Sequence, residues 1–153
     1  TAEKFQYIRL KASADPPGDW LGANGCFSFP AASARFCGSM LLDTGIDQMI
    51  FALAKGSRPA QVVDSSNPGV LKPGTAVDIA APTTGPLALS YGFNYQPGRP
   101  GSTIDPRLIR WAAPPATKPP VFFNIGRTPL ARYDYLYDAR GGRVGFFDRL
   151  TAP

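Results

Sequence analysis

Sixteen glycines and seventeen prolines punctuate this 153-residue chain from end to end. Proline removes a backbone donor and glycine raises the entropic cost of order, so long helices cannot be sustained at that density. Short strands between Gly/Pro turns can, and the chain is expected to be mainly β. Its length suits a single domain, residues 1–153, with room for a sizeable core. Hydrophobic residues make up 44% and charged residues 18%, the balance of a chain that folds.

In "KFQYIRLKA", Phe5, Tyr7 and Arg9 alternate with Gln6, Ile8 and Leu10, as in a strand near the surface. "DPPGDWLGANG" is a turn-rich connection and "CFSF" a short strand. "ARFCGSMLLD" climbs into the interior, its Met40, Leu41 and Leu42 forming a run buried on both faces. "VLKPGTAVDIAAP" and "PLALSYGFNYQ" read as strands paired around turns, "VFFNIG" as a buried apolar strand, and "YDYLYDARGGRVGFFD" as a hairpin turning at Gly141-Gly142. Only "IDQMIFALAKG", residues 46–56, offers a helix-length apolar pattern, ending at Gly56 as a C-cap would. "TPLARY" adds a short helical turn, so one or two short helices are expected. "WAAPPATKPP", residues 111–120, is a proline-rich loop inside the domain, because residues 121–153 are too few to form another. Tyr91, Phe93 and Tyr95 share one face; such a stripe packs a core more often than it lines a peptide groove.

The chain has no histidine, which removes Ser-His-Asp and Cys-His nucleophilic schemes and almost every zinc site built on imidazole. Cys26 and Cys37 are its only cysteines, so a four-thiolate metal site is excluded as well. They could close a hairpin-sized loop as a disulfide or remain as two buried thiols. A disulfide would point to an oxidising compartment, secreted or periplasmic. The net charge of +5 arises entirely after residue 105, where eight Lys/Arg face three Asp. Those arginines are spaced along strands and turns and not clustered, the pattern of a solvated surface, and no nucleic-acid partner is expected. No apolar run approaches bilayer length, and no membrane partner is expected. The non-Met start at Thr1 reads as a processed product or an excised piece.

"MLLDTGIDQMIF" sets a carboxylate, Asp43, after two leucines and before a Thr44-Gly45 turn. Alone, that tripeptide is an ordinary strand-to-turn junction. About 80 residues later the chain runs Phe122-Phe123-Asn124-Ile125-Gly126, followed by a polar turn. Next come Tyr133-Asp134-Tyr135-Leu136-Tyr137-Asp138 and then Arg143-Val144-Gly145-Phe146. This order and spacing resembles one lobe of the pepsin-like aspartic proteases, over roughly residues 4–148. Such a lobe carries Asp-Thr/Ser-Gly on a loop, threaded through a later hydrophobic-hydrophobic-Gly segment. Here Asn124 takes the first hydrophobic place of that segment. "NIGRTPL" also looks like the Ile-Gly-Arg segment of the retroviral-type proteases, which share the half-fold. The closing hairpin is more similar to the end of a C-terminal pepsin lobe.

The resemblance implies a half-barrel lobe of the acid protease fold and a polypeptide substrate, with no cofactor and no metal. Asp43 would be one of two catalytic carboxylates, since two facing carboxyls share one proton and can activate a water between them. Thr44 would hydrogen-bond across to a partner loop, Gly45 would permit the two loops to approach closely, and Asn124, Ile125 and Gly126 would brace the Asp43 loop from behind. Only one Asp-Thr-Gly is present, and Asp64 and Asp105 lack the following glycine. The second aspartate would therefore come from an N-terminal lobe absent from this chain or from a second copy. Either way, an apolar flank should be left exposed. Ile46 departs from the pattern, which usually places a hydroxyl residue after the glycine; a bulky isoleucine would make the pocket drier. A pepsin-like protein kept for binding or inhibition is thus an alternative, and a homodimeric retroviral-type protease another.

Overall fold

Twelve strands carry the architecture of this computed structural model, which describes residues 4–98, 104–114 and 120–151. In chain order they are β1 (Gln6–Arg9), β2 (Ala12–Ala14), β3 (Pro17–Trp20), β4 (Ala23–Phe29), β5 (Ala34–Leu41) and β6 (Gln48–Ala52), then β7 (Ala76–Ala81), β8 (Leu89–Asn94), β9 (Leu108–Ala112), β10 (Phe122–Asn124), β11 (Tyr133–Asp138) and β12 (Arg143–Asp148). Seven form one sheet in the order β8-β7-β4-β5-β10-β6-β9, curled into a half-barrel. A three-stranded sheet, β1-β12-β11, and the β2-β3 hairpin complete the fold. Helix occurs among the described residues only as short 3-10 turns, at Pro30–Ala32, Lys55–Ser57, Ala60–Val62 and Thr128–Ala131. None is long and apolar enough to cross a membrane.

The position of β10 is the feature that matters for the site. It lies between β5, to which it runs parallel, and β6, to which it runs antiparallel. β5 and β6 are consecutive in the chain, so a segment that arrives much later fills the slot between them. Asn124 then stands opposite Leu41 on one side and Ile50 on the other. Glycine makes the slot passable: a side chain at Gly38 would run into the Val121 carbonyl at the entry to β10. Around the slot, Phe27, Phe29, Phe51 and Phe123 are fully buried. Phe27 stacks on Phe51 with centroids 4.2 Å apart and meets Phe123 edge-on at 5.1 Å. Each such ring contributes about 1.5–3 kcal/mol on burial, so this cluster fixes where β10 sits.

The three-stranded sheet joins the same core through Ile8, Tyr133, Val144 and Phe146. The Tyr133 hydroxyl donates to the Ser90 carbonyl of β8 at 2.6 Å, tying the two sheets together. Trp20 Nε1 donates to the Ala139 carbonyl at 2.7 Å and fastens the β2-β3 hairpin to the β11-β12 turn. Part of the turn-rich connection of residues 15–25 is thus itself a strand, β3, paired with β2 just before it. In the β4-β5 register Cys26 stands opposite Cys37, with Cα atoms 4.0 Å apart, and the two form a disulfide. Of the two alternatives left open by the sequence, the bonded one is present.

Several sequence expectations need correction. Residues 46–56 are not a helix: β6 occupies Gln48–Ala52, and only Lys55–Ser57 form a 3-10 turn. Met49, Phe51 and Leu53 are essentially fully buried at alternate positions, a period of two that the intervening Ile50 and Ala52 hide. β9 and β10 hydrogen-bond β6 on both sides, which a helix could not accept. The run Met40-Leu41-Leu42 is not buried throughout. Met40 is, but Leu41 is 42% exposed, because it ends β5 where the sheet runs out of cover. Tyr91 and Tyr95 are buried in the core, the reading the sequence favoured for this stripe. Residues 115–119 of the proline-rich loop lie outside the described residues.

Candidate active site

Asp43 stands two residues past the end of β5, in the six-residue connection to β6, and is half-buried. A carboxylate at the head of a turn accepts readily from the amide two residues on. The Gly45 amide accordingly donates to Asp43 Oδ1 at 2.9 Å, and the Ile46 amide closes the turn on the Asp43 carbonyl at 3.5 Å. A Cβ on Gly45 would sit 3.2 Å from that same oxygen, so the glycine expected to admit a partner loop also lets the turn fold onto its own carboxylate.

The other oxygen is held by a residue from the slot strand. Asn124, the last residue of β10 and only 5% exposed, donates from Nδ2 to Asp43 Oδ2 at 3.1 Å. Its Oδ1 accepts from the Gly126 amide at 2.8 Å, and both bonds need the same orientation of the amide group. Beyond it the backbone is laced to the Asp43 connection. The Ile125 amide donates to the Leu41 carbonyl and the Arg127 amide to the Ile46 carbonyl, each at 2.9 Å. Gly126 turns with φ of +60°, and a Cβ there would stand 2.5 Å from the Gln48 carbonyl oxygen. Asn124, Ile125 and Gly126 therefore lie against the Asp43 loop as a brace, and Asn124 also bonds the carboxylate directly.

Each carboxylate oxygen takes one hydrogen bond from the chain and keeps lone-pair capacity for another. Thr44 is exposed, and its hydroxyl has no hydrogen bond among the described residues. Ile46 is half-buried and brings no hydroxyl to the carboxylate. Among the described residues no group of three Cys, Asp or Glu side chains comes together as a metal site. Asp47 makes an ion pair with Arg107 at 3.4 Å on the exposed side of the same connection.

An apolar groove of about 230 Å³, walled by Trp20, Leu21, Leu41, Leu42, Tyr135 and Tyr137, takes in the two residues that precede Asp43 in the chain but not Asp43 itself. Leu21 is 50% exposed and Tyr137 53%, large fractions for such side chains. Sequence reasoning named none of these as site residues. One signal was available: Tyr133, Tyr135 and Tyr137 share a face of β11, so the stripe that starts in the core must run out of it somewhere. No protein-family model matches the sequence, and no curated protein is similar to it.

Proposed function

We propose that this chain is one lobe of an aspartic endopeptidase, most like a C-terminal pepsin-type lobe, in which Asp43 is one of two catalytic carboxylates. The observation that carries this reading is the Asp43 loop itself, laced to a strand inserted between the two strands that flank it. On this reading, a mainly β half-barrel with a single carboxylate held this way supplies half of a two-carboxylate site. A partner's carboxylate facing Asp43 would share its proton. The ionised member would take a proton from a bound water, and the protonated member would polarise the peptide carbonyl. Gly45 and Asn124 fix the Asp43 carboxylate in orientation without saturating it.

The exposed groove of Leu21, Leu41 and Tyr137, which reaches the residues just before Asp43, supports a partner, an N-terminal lobe or a second copy. The disulfide fits an oxidising compartment, outside the cell or in a periplasm. The test is peptide cleavage at acid pH by this chain together with its partner lobe, or by the chain alone at concentrations that favour a dimer. Asp43→Asn should abolish cleavage and leave the fold intact. Cleavage that survives the substitution would sink the reading.

Ile46 favours a second reading, a pepsin-like module kept for binding. It supplies no hydroxyl to the carboxylate and crowds the loop with apolar bulk. Tight binding of a polypeptide with no turnover at any pH, unchanged by Asp43→Asn, is the outcome that would select it.

A further inference from the structure

A second concavity lies across the Leu21-Gly22 connection from the apolar groove. It holds about 360 Å³, and its walls come from three separated pieces of chain. Arg9 ends β1 and Lys11 follows two residues later, Asn24 lies near the start of β4, and Thr83 and Thr84 belong to the loop after β7. Ile8, Leu21 and Pro82 supply apolar wall. No carboxylate lines it.

We propose that this concavity binds an anionic group, a carboxylate or a phosphate, independently of Asp43. Several cations elsewhere among the described residues are given partners. Arg107, Arg132, Arg143 and Arg149 each have an aspartate. Arg58 donates to the Ala112 carbonyl and lies over the Trp111 ring. Arg9 and Lys11 have no ion pair and no side-chain hydrogen bond among the described residues, yet the chain brings both to one hollow. Two positive charges sharing a concavity repel each other, and an anion between them removes that repulsion. A wall that includes an arginine, a lysine, two threonines and an asparagine carries the donor types that carboxylate and phosphate oxygens take. Asn24 and the threonines distinguish the hollow from a plain charged surface, because they can donate without adding charge.

The experiment is an amide NMR titration of the 153-residue chain with sodium phosphate and, separately, with sodium acetate, against sodium chloride at matched ionic strength. Saturable shifts confined to residues 8–11, 21–24 and 83–84 are expected with one of the two anions, and which one saturates identifies the group. Arg9→Gln with Lys11→Gln should weaken that binding at least about tenfold, since both charge-assisted contacts are lost. Both side chains are exposed, so the fold should survive; Lys11→Glu alone is a second variant and should abolish binding. Shifts that never saturate, that chloride reproduces, or that persist unchanged in these variants would overturn the proposal.

Discussion

Asn124 Nδ2 donates to Asp43 Oδ2 across 3.1 Å, joining residues 81 positions apart in the chain. The bond exists because β10 enters between β5 and β6 and ends level with Leu41, two residues before the carboxylate. Asn124 is thus where the sheet meets the loop. Its amide is also spent at the other end, on the Gly126 amide, so one buried side chain orients both the carboxylate and the turn behind it.

Asn124→Ala should therefore be costly for its size. It removes the donor to Asp43 and leaves the buried Gly126 amide without a partner, a loss of about 1–3 kcal/mol. The urea midpoint of wild type and variant measures it, with an unchanged slope indicating a stability effect alone. A shift equivalent to under about 0.5 kcal/mol, the range of an ordinary surface change, would mean that Asn124 does not hold the loop.

Gly126→Ala tests the brace through the backbone. Left-handed φ costs a non-glycine residue about 1–2 kcal/mol, and the new methyl would also press on the Gln48 and Ile46 carbonyls. A loss above about 2 kcal/mol is expected in urea unfolding. Slowed amide exchange at residues 44–48 would contradict it, since a forced-apart brace should expose those amides.

The Cys26–Cys37 bond closes a short loop, for which about 2–3 kcal/mol of stabilisation is expected. Thermal unfolding with and without a reducing agent should show the oxidised chain more stable. Replacing both cysteines by alanine should reproduce the reduced value.

Asp148 provides a pH signature. Arg132 grips it through Nε at 2.9 Å and Nη2 at 2.5 Å, and this pair holds the carboxyl below the usual carboxylate range. A depressed folded pKa contributes stability that is fully present above the unfolded value of about 3.9 and is lost as pH falls through the folded value. Asp148→Asn should therefore cost on the order of 1–2 kcal/mol near neutral pH, and the gap from wild type should narrow below about pH 4. A gap that is constant with pH would rule out the ion pair as its source.

Leu41→Lys addresses the groove. Leu41 is already 42% exposed, so the isolated chain should change in stability by less than about 0.5 kcal/mol. Association with a partner lobe or second copy, followed by sedimentation, should be lost. Undiminished association would place the partner elsewhere on the surface.

The sequence by itself determined the class of fold and the suspicion about one carboxylate. Glycine and proline at this density exclude long helices, and the closing hairpin at residues 133–148 follows from alternation and a Gly-Gly turn alone. That Asp43 begins a tight turn was also legible, because the Asp-x-Gly bond is local. Local pattern could not decide which strands pair. Residues 49–52 are apolar on both faces, so their period was ambiguous until β9 and β10 claimed the two edges from about 60 and 70 residues away. Leu41 is exposed not because of its neighbours in sequence but because β5 ends there and nothing covers its last residue. The Asn124–Asp43 contact likewise depends on β10 occupying the slot behind Gly38, a choice made by burial of Phe123 against Phe27 and Phe51. Local sequence sets turns and faces; competition among distant strands for hydrogen bonds and burial decides which carboxylate ends up braced.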